Sequence, residues 1–140
     1  MMVVLPCDHR LASQDAIQPS DFIGETFVGV DDQAPHARLV MEDYFRRCGI
    51  DVQPAHRAEY LSMLMSLVAS TGGLALAPEL ALNFLTRSVV SRPLAGTAPT
   101  IDLVLGYHKA NTSPLLKLFL SRTDDLIARG STRSIPPAGG

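Results

Sequence analysis

Residues 59–79, EYLSMLMSLVASTGGLALAPE, change their hydrophobic period at a pair of glycines. The first half repeats apolar residues at i, i+3, i+4 and i+7, which is typical of an amphipathic helix. Gly72 and Gly73 end the repeat, because glycine readily takes the left-handed conformation of a helix C-terminus. The second half is a short apolar run closed by Pro78, so the stretch predicts a helix that leads into a buried strand. The apolar stripe of the helix consists of Leu61, Leu64, Met65 and Val68.

The rest of the chain alternates strand and helix patterns around this stretch. Residues 55–59 are a candidate partner for the buried strand, which would make a β-α-β crossover. Strands are also predicted at residues 3–5, 26–30, 89–90 and 101–105, and helices at 35–48 and 113–128. The core positions of the first of these helices would be Ala37, Val40 or Met41, Tyr44 and Cys48. This alternation indicates an α/β fold with a mixed, largely parallel sheet.

Three segments resemble one known family. Residues 68–78, VASTGGLALAP, are similar to V-A-A-G-x-G-I-A-L-V-P in the effector-binding domain of LysR-type transcriptional regulators, with Ser70 and Thr71 as departures. Residues 5–12, LPCDHRLA, resemble the segment L-P-x-x-H-P-L-A of that family. Residues 103–109, LVLGYHK, and the helix after Pro114 resemble its closing strand and helix. The three segments occur in the order found in the family.

The resemblance implies an incomplete version of the family's architecture. It implies a periplasmic-binding-protein-like (type 2) fold, in which two α/β lobes are joined by crossover strands. Residues 1–128 would be a partial effector-binding domain, with residues 8–100 as the second lobe and residues 101–128 as a strand and helix returning to the first lobe. The beginning of the first lobe and the winged helix-turn-helix are expected to be absent. Residues 129–140 have no periodicity and are predicted to be a disordered tail.

Composition limits the classes of function. The chain has 140 residues, a formal net charge of −2, 46% hydrophobic and 19% charged residues, which fits a soluble globular class. A net negative chain is a poor match for a nucleic-acid surface, so we expect no direct DNA binding. No basic signal peptide or membrane-length apolar run occurs, and a cytoplasmic location without membrane contact is expected.

No catalytic or metal motif stands out. The four histidines lack ligand spacing to one another or to cysteine, so no metal and no cofactor are expected. Cys7 and Cys48 are isolated and are predicted to be small buried hydrophobic residues. Phosphate-binding and nucleophile-elbow motifs are missing, so no catalytic residues are predicted.

The start of the helix at residues 35–48 is the candidate effector site. A helix N-terminus offers free backbone N–H groups and the positive end of the helix dipole, which suit a carboxylate. The resemblance implicates Gln33, Pro35 and His36 in effector binding. Asp31 and Asp32 would repel an anion if they pointed inward, so a neutral or cationic effector and an ordinary helix start remain open.

The predicted helix at residues 61–70 is a candidate dimer contact. Tyr60 and Met63 lie away from the centre of its apolar stripe, where a partner surface can use large side chains, although core packing is the simpler interpretation. The resemblance implies regulatory domains paired side by side, as a homodimer or with a full-length regulator.

The first hypothesis is therefore a non-catalytic domain or fragment that senses a small-molecule effector for a LysR-type regulator. The alternative is a small cytoplasmic α/β enzyme of unrecognised class. An exported solute-binding protein with the same two-lobed fold is disfavoured by the missing signal peptide.

Overall fold

A computed structural model describes residues 1–102, 104–123, 125 and 127 of the chain. They belong to two compact units, Met1–Asp102 (unit 1) and Leu103–Gly140 (unit 2). Short 3-10 turns occupy Arg10–Ser13, Pro19–Phe22 and Glu79–Phe84. The strands and helices of unit 1 are β1 (Met2–Pro6), β2 (Val28–Val30), α1 (Pro35–Arg47), β3 (His56–Ala58), α2 (Leu61–Thr71), β4 (Ala75–Ala77) and β5 (Val89–Pro93), and unit 2 contains α3 (Pro114–Ser121).

The strands of unit 1 are joined in the spatial order β3-β2-β4-β1-β5. Strand β1 pairs antiparallel with both β4 and β5, and β2 pairs parallel with β3. A parallel bridge between Phe27 and Leu74 connects the two sets. Its hydrogen bonds run from Val28 N–H to the Leu74 carbonyl and from Leu74 N–H to the Thr26 carbonyl, each 2.8 Å long. Four strands therefore run in one direction and only β1 opposes them, which confirms the mixed, largely parallel prediction.

The β-α-β crossover is present, but its two strands are not neighbours as predicted. Strand β3 pairs with β2, and β2 lies between β3 and β4. The exposure of β3 and β4 agrees with this strand order. His56 and Arg57 of β3 are exposed, as suits an edge strand, whereas all three residues of β4 are buried, as suits a strand with neighbours on both sides.

The core of unit 1 covers both faces of the sheet. Strand β1 alternates between them, because Val3 and Leu5 join the cluster that includes α1, while Val4 joins the cluster that includes α2. The predicted stripe of α2 is confirmed, since Leu64, Met65 and Val68 are buried and Leu61 packs against the same cluster. On the α1 side the rings of Phe22, Phe27 and Phe45 pack edge to face, with centroids 5.1 to 5.9 Å apart.

The glycine pair has two separate roles at the end of α2. Gly72 is the C-cap residue, with a φ of 69° in the left-handed region. Gly73 allows a close approach of two strands, because a Cβ atom there would lie 2.7 Å from the Thr26 carbonyl oxygen. A turn and a tight strand contact therefore explain the two consecutive glycines.

Both cysteines are exposed, so the prediction that they are buried was wrong. Cys7 follows Pro6 at the point where β1 leaves the sheet, and Cys48 is the C-cap residue of α1. Cys7 directly follows the last buried residue of β1, and Cys48 lies three residues after Phe45, the last buried residue of α1. Phe45 was not predicted, although it is buried together with the predicted Met41 and Tyr44.

The predicted strand at residues 101–105 is not found. Residues 101 and 102, at the end of unit 1, and residues 104 and 105, at the beginning of unit 2, form no strand, and Val104 is 81% exposed. A strand needs a neighbour for its backbone hydrogen bonds, and no described strand pairs with these residues. Helix α3 occupies the first half of the predicted 113–128 helix, and none of its residues is buried.

Two other predictions lie beyond what these observations test. The assignment of residues 8–100 and 101–128 to two lobes stays a prediction. The tail at 129–140 lies outside the described residues. Within the described residues, no helix is both long enough and apolar enough to cross a membrane.

Candidate functional site

An apolar groove of about 240 Å³ opens at the carboxyl ends of β2, β3 and β4 in unit 1. Ligands of open α/β sheets bind at this end of the strands, where neighbouring connections diverge. The walls of the groove include Val30, Met41, Leu61, Leu64, Leu76 and Ile101. Because of its position and its apolar lining, this groove is the candidate binding site for a small molecule.

The mouth of the groove is formed by the beginnings of two helices. Ala34 and Ala37 come from the start of α1, and Glu59 and Tyr60 immediately precede α2. Helix N-termini carry a partial positive charge and backbone N–H groups without an intrahelical partner. The α1 start has no side-chain cap, so it keeps this capacity for an external acceptor.

The loop before α1 is held to the sheet by backbone hydrogen bonds. Asp31 N–H donates to the Ala58 carbonyl over 2.9 Å, and Ala34 N–H donates to the Asp31 carbonyl over 3.1 Å. The Asp31 carboxylate accepts from Gln33 N–H at 3.1 Å. The carboxylate of Asp31 is therefore engaged by its own turn, and the loop has a fixed position beside the groove.

Arg38 balances the acidic groups around this loop. Its Nη1 donates to Glu42 Oε1 at 2.9 Å, and its Nε lies 3.3 Å from Asp32 Oδ1 in an ion-pair contact. The buried Nε is not aligned for a hydrogen bond. Arg38 does not line the groove, and among the described residues Glu59 is the only formally charged one that does.

The predicted effector residues lie beside the groove without lining it. Gln33, Pro35 and His36 are exposed on the loop and first turn of α1. Ala34 and Ala37, which alternate with them, face the groove instead. The predicted segment thus borders the groove, and the lining positions are its neighbours Ala34 and Ala37. Glu59, which also lines the groove, was not predicted. A role of Gln33, Pro35 and His36 in effector binding stays a prediction.

The two predicted dimer residues have different surroundings. Tyr60 is 62% exposed and contributes to the mouth of the groove. Met63 is half-buried and packs against the α2 side of the core. A role in pairing with another chain stays a prediction for both.

A polar cluster that follows the carboxyl end of β1, outside the groove, has a structural role. His9 Nε2 lies 3.2 Å from Glu25 Oε2, and Arg10 Nε donates to Glu25 Oε1 at 2.8 Å. His9 Nδ1 also accepts from Leu11 N–H at 3.2 Å, which caps the first 3-10 turn. These contacts fix the turn to the loop before β2. No group of three or more metal-ligand side chains occurs within the described residues.

Comparisons with known proteins point to one family. Residues 1–126 match the LysR substrate binding domain. The chain is 30% identical over 129 residues to the Hca operon transcriptional activator HcaR of Escherichia coli, an alignment that covers 91% of this chain and 44% of HcaR. The chain thus spans less than half the length of this curated relative.

Solved structures agree on the fold. HinK, a LysR family transcriptional regulator from Pseudomonas aeruginosa, superposes with a TM-score of 0.74 at 21% identity, covering 89% of this chain and 43% of HinK. The BenM effector binding domain with its effector benzoate gives a TM-score of 0.70 at 16% identity, covering 96% of this chain and 62% of that chain. These similarities show the periplasmic-binding-protein-like type 2 α/β fold. This chain belongs to the LysR substrate binding domain family.

Proposed function

We propose that this chain is the effector-sensing part of a LysR-type transcriptional regulator and that it binds a small molecule in the apolar groove. The observation that supports this most directly is the position of the groove. It lies at the carboxyl ends of three strands that run in the same direction, between the beginnings of α1 and α2. Membership of the LysR substrate binding domain family supports the same function.

The effector we propose contains a carboxylate that approaches the start of α1. Gln33, Pro35 and His36 surround this helix end, and the missing side-chain cap leaves N–H groups for an anion. Among the similar structures, BenM carries benzoate as its effector. A ring-sized carboxylate would place its apolar part against Met41 and Leu64 inside the groove.

The proposed mechanism is lobe closure. An effector shifts the balance between open and closed arrangements only by the difference in its affinity for the two. We propose that this difference is passed across a homodimer, or a pair with a full-length regulator, through a surface that includes Tyr60 and Met63. DNA reading would belong to another part of the regulator, and this chain would act in the cytoplasm without touching membrane or DNA.

Catalysis is not part of the proposed function. Tyr60 and Glu59 are the only ionisable side chains among the described residues that line the groove, and these residues include no nucleophile with a neighbouring base. Glu59 and Tyr60 are consecutive residues immediately before α2 in the chain. A binding role accounts for this lining without any chemical step.

A thermal-shift titration with benzoate and a panel of small carboxylates tests the proposal. A binding carboxylate should raise the midpoint of unfolding of the 140-residue chain. Ala34→Leu fills the mouth of the groove and should weaken that ligand by about tenfold or more, while Ala69→Leu on the exposed side of α2 serves as the matched control. Equal binding by the wild type and Ala34→Leu would place the site elsewhere.

A mobility-shift assay tests the assignment of DNA reading to another region. The chain has a net charge of −2, so at physiological salt it should not retard any operator sequence specifically. Specific retardation of a palindromic operator by the purified chain would contradict the proposal.

A further inference from the structure

We propose that the molecule bound in the apolar groove carries a protonated amine that faces Glu59. This inference rests on the proposed function and adds a second polar group to the effector. The ligand would then combine an apolar body with an ammonium group next to α2, and with the carboxylate next to α1.

Glu59 is the residue that carries the inference. Among the described residues that line the groove it is the only one with a formal charge, and the others are alanine, proline, tyrosine and larger apolar residues. Glu59 is exposed, and its carboxylate forms no hydrogen bond or ion pair with any described residue. The groove thus contains an acceptor that no described side chain or backbone group occupies.

The arginines near this end of the sheet have other partners. Arg38 is paired with Glu42 and Asp32. Arg57 donates from Nη1 to the Val30 carbonyl at 3.3 Å. No cation among the described residues of the groove lining neutralises Glu59, so an anionic group placed beside it would gain no electrostatic attraction there. An amine would instead form a charge-assisted hydrogen bond.

The size of the groove limits the apolar body of the ligand. An apolar cavity of about 150 Å³ holds one benzene ring. The groove measures about 240 Å³, which is enough for one ring with a short substituted chain. An amino acid with an aromatic side chain has this size and both polar groups.

Glu59 also has a possible structural role that the experiment must separate from binding. A negative charge just before a helix interacts favourably with the helix dipole, and α2 has no acidic residue in its first turn. Removing the charge would change stability slightly for that reason alone. Selectivity between two ligands that differ only in an amine does not depend on this structural contribution.

Calorimetric titration of the 140-residue chain with phenylalanine and with 3-phenylpropionate provides the test, because the two probes differ by the amine. The wild type should bind phenylalanine about tenfold more tightly. Glu59→Gln should remove that preference, and Glu59→Ala should do the same. Glu79→Gln changes an exposed glutamate outside the groove and should keep the preference.

Each other outcome has a definite meaning. If 3-phenylpropionate binds the wild type as tightly as phenylalanine, the amine inference is wrong and the proposed sensing function stands. If the preference survives in both Glu59 variants, Glu59 is not its cause and the inference is overturned. If neither probe binds, the amine inference fails, and if no carboxylate of the thermal-shift panel stabilises the chain either, the proposed function fails as well.

Discussion

Helices α2 and α3 are both rich in apolar residues but have different surroundings. Both are short and rich in leucine, with LSMLMSLVAST in α2 and PLLKLFLS in α3. In α2 the residues Leu64, Met65 and Val68 are buried, whereas α3 has no buried residue. An apolar stripe therefore predicts that a segment will be helical, but burial requires a complementary surface, which unit 1 provides for α2 through its sheet.

Hydrogen exchange should show the largest difference between these helices. The amides of α2 should exchange through global unfolding, which costs about 5 to 15 kcal/mol in small domains. An exposed eight-residue helix has little stability of its own, so the amides of α3 should exchange at least about a thousandfold faster. Equal protection in a chain that is monomeric at high concentration would mean that α3 is covered within this chain.

A matched pair of leucine truncations should give the next largest effect. Leu64 is 3% exposed and Leu118 is 52% exposed. Leu64→Ala should reduce the free energy of unfolding by about 2 to 5 kcal/mol, because a buried leucine leaves a cavity. Leu118→Ala should change it by less than about 0.5 kcal/mol. Urea unfolding measures both, and similar losses for the two variants would contradict the comparison.

Gly72, which follows α2, and Gly106, which precedes α3 in the chain, should give a smaller difference in unfolding free energy. Gly72 has a φ of +69° and open space around its Cα, so strain alone opposes a side chain there. Gly72→Ala should cost about 1 to 2 kcal/mol of unfolding free energy. Gly106 also has open space but does not have a positive φ, so Gly106→Ala is the control and should be nearly neutral. Thermal or urea unfolding of the two variants provides the measurement.

Helix α1 also packs against the sheet, and its buried Tyr44 allows a further test that uses pH. Burial, and then a hydrogen bond with Cys48, raises the pKa of Tyr44 to about 12 from its usual 10.0. The folded state keeps the phenol proton at a pH where the unfolded state loses it, so stability falls as pH rises above 10. At pH 11 the loss should be about 1.4 kcal/mol relative to pH 9.

Tyr44→Phe is the control for this pH dependence. Other groups also titrate in this range, and they are the same in both proteins. Urea unfolding between pH 9 and 11 should therefore show a steeper loss of stability in the wild type than in Tyr44→Phe. Parallel curves would mean that the buried phenol does not control this dependence.

Much of the fold was readable from local patterns. The period of apolar residues predicted α1 and α2, short apolar runs predicted β1, β4 and β5, and the glycine pair predicted the end of α2. These features depend on residues close to one another in the chain. The predicted strand at residues 101–105 failed at its described residues, because a strand depends on a neighbouring strand and no described strand pairs with them.

The surroundings of the groove were only partly readable from the sequence. The start of α1 at Pro35 was predicted, because a polar turn followed by proline is a local signal for a helix start. The sequence did not show which of residues 33–37 face inward, since that depends on the angle at which α1 meets the sheet. It also gave no reason to place Glu59 beside residues 34 and 37.

The sequence by itself determined the α/β class, the main helices and strands of unit 1, and the resemblance to LysR-type effector-binding domains. Each of these follows from short-range periodicity or from consecutive motif residues. The tertiary structure alone decided that β2 lies between β3 and β4, that both cysteines are exposed, and that Glu59 shares a groove with Ala34. The physical reason is that strand order and cavity lining depend on contacts between residues far apart in the chain.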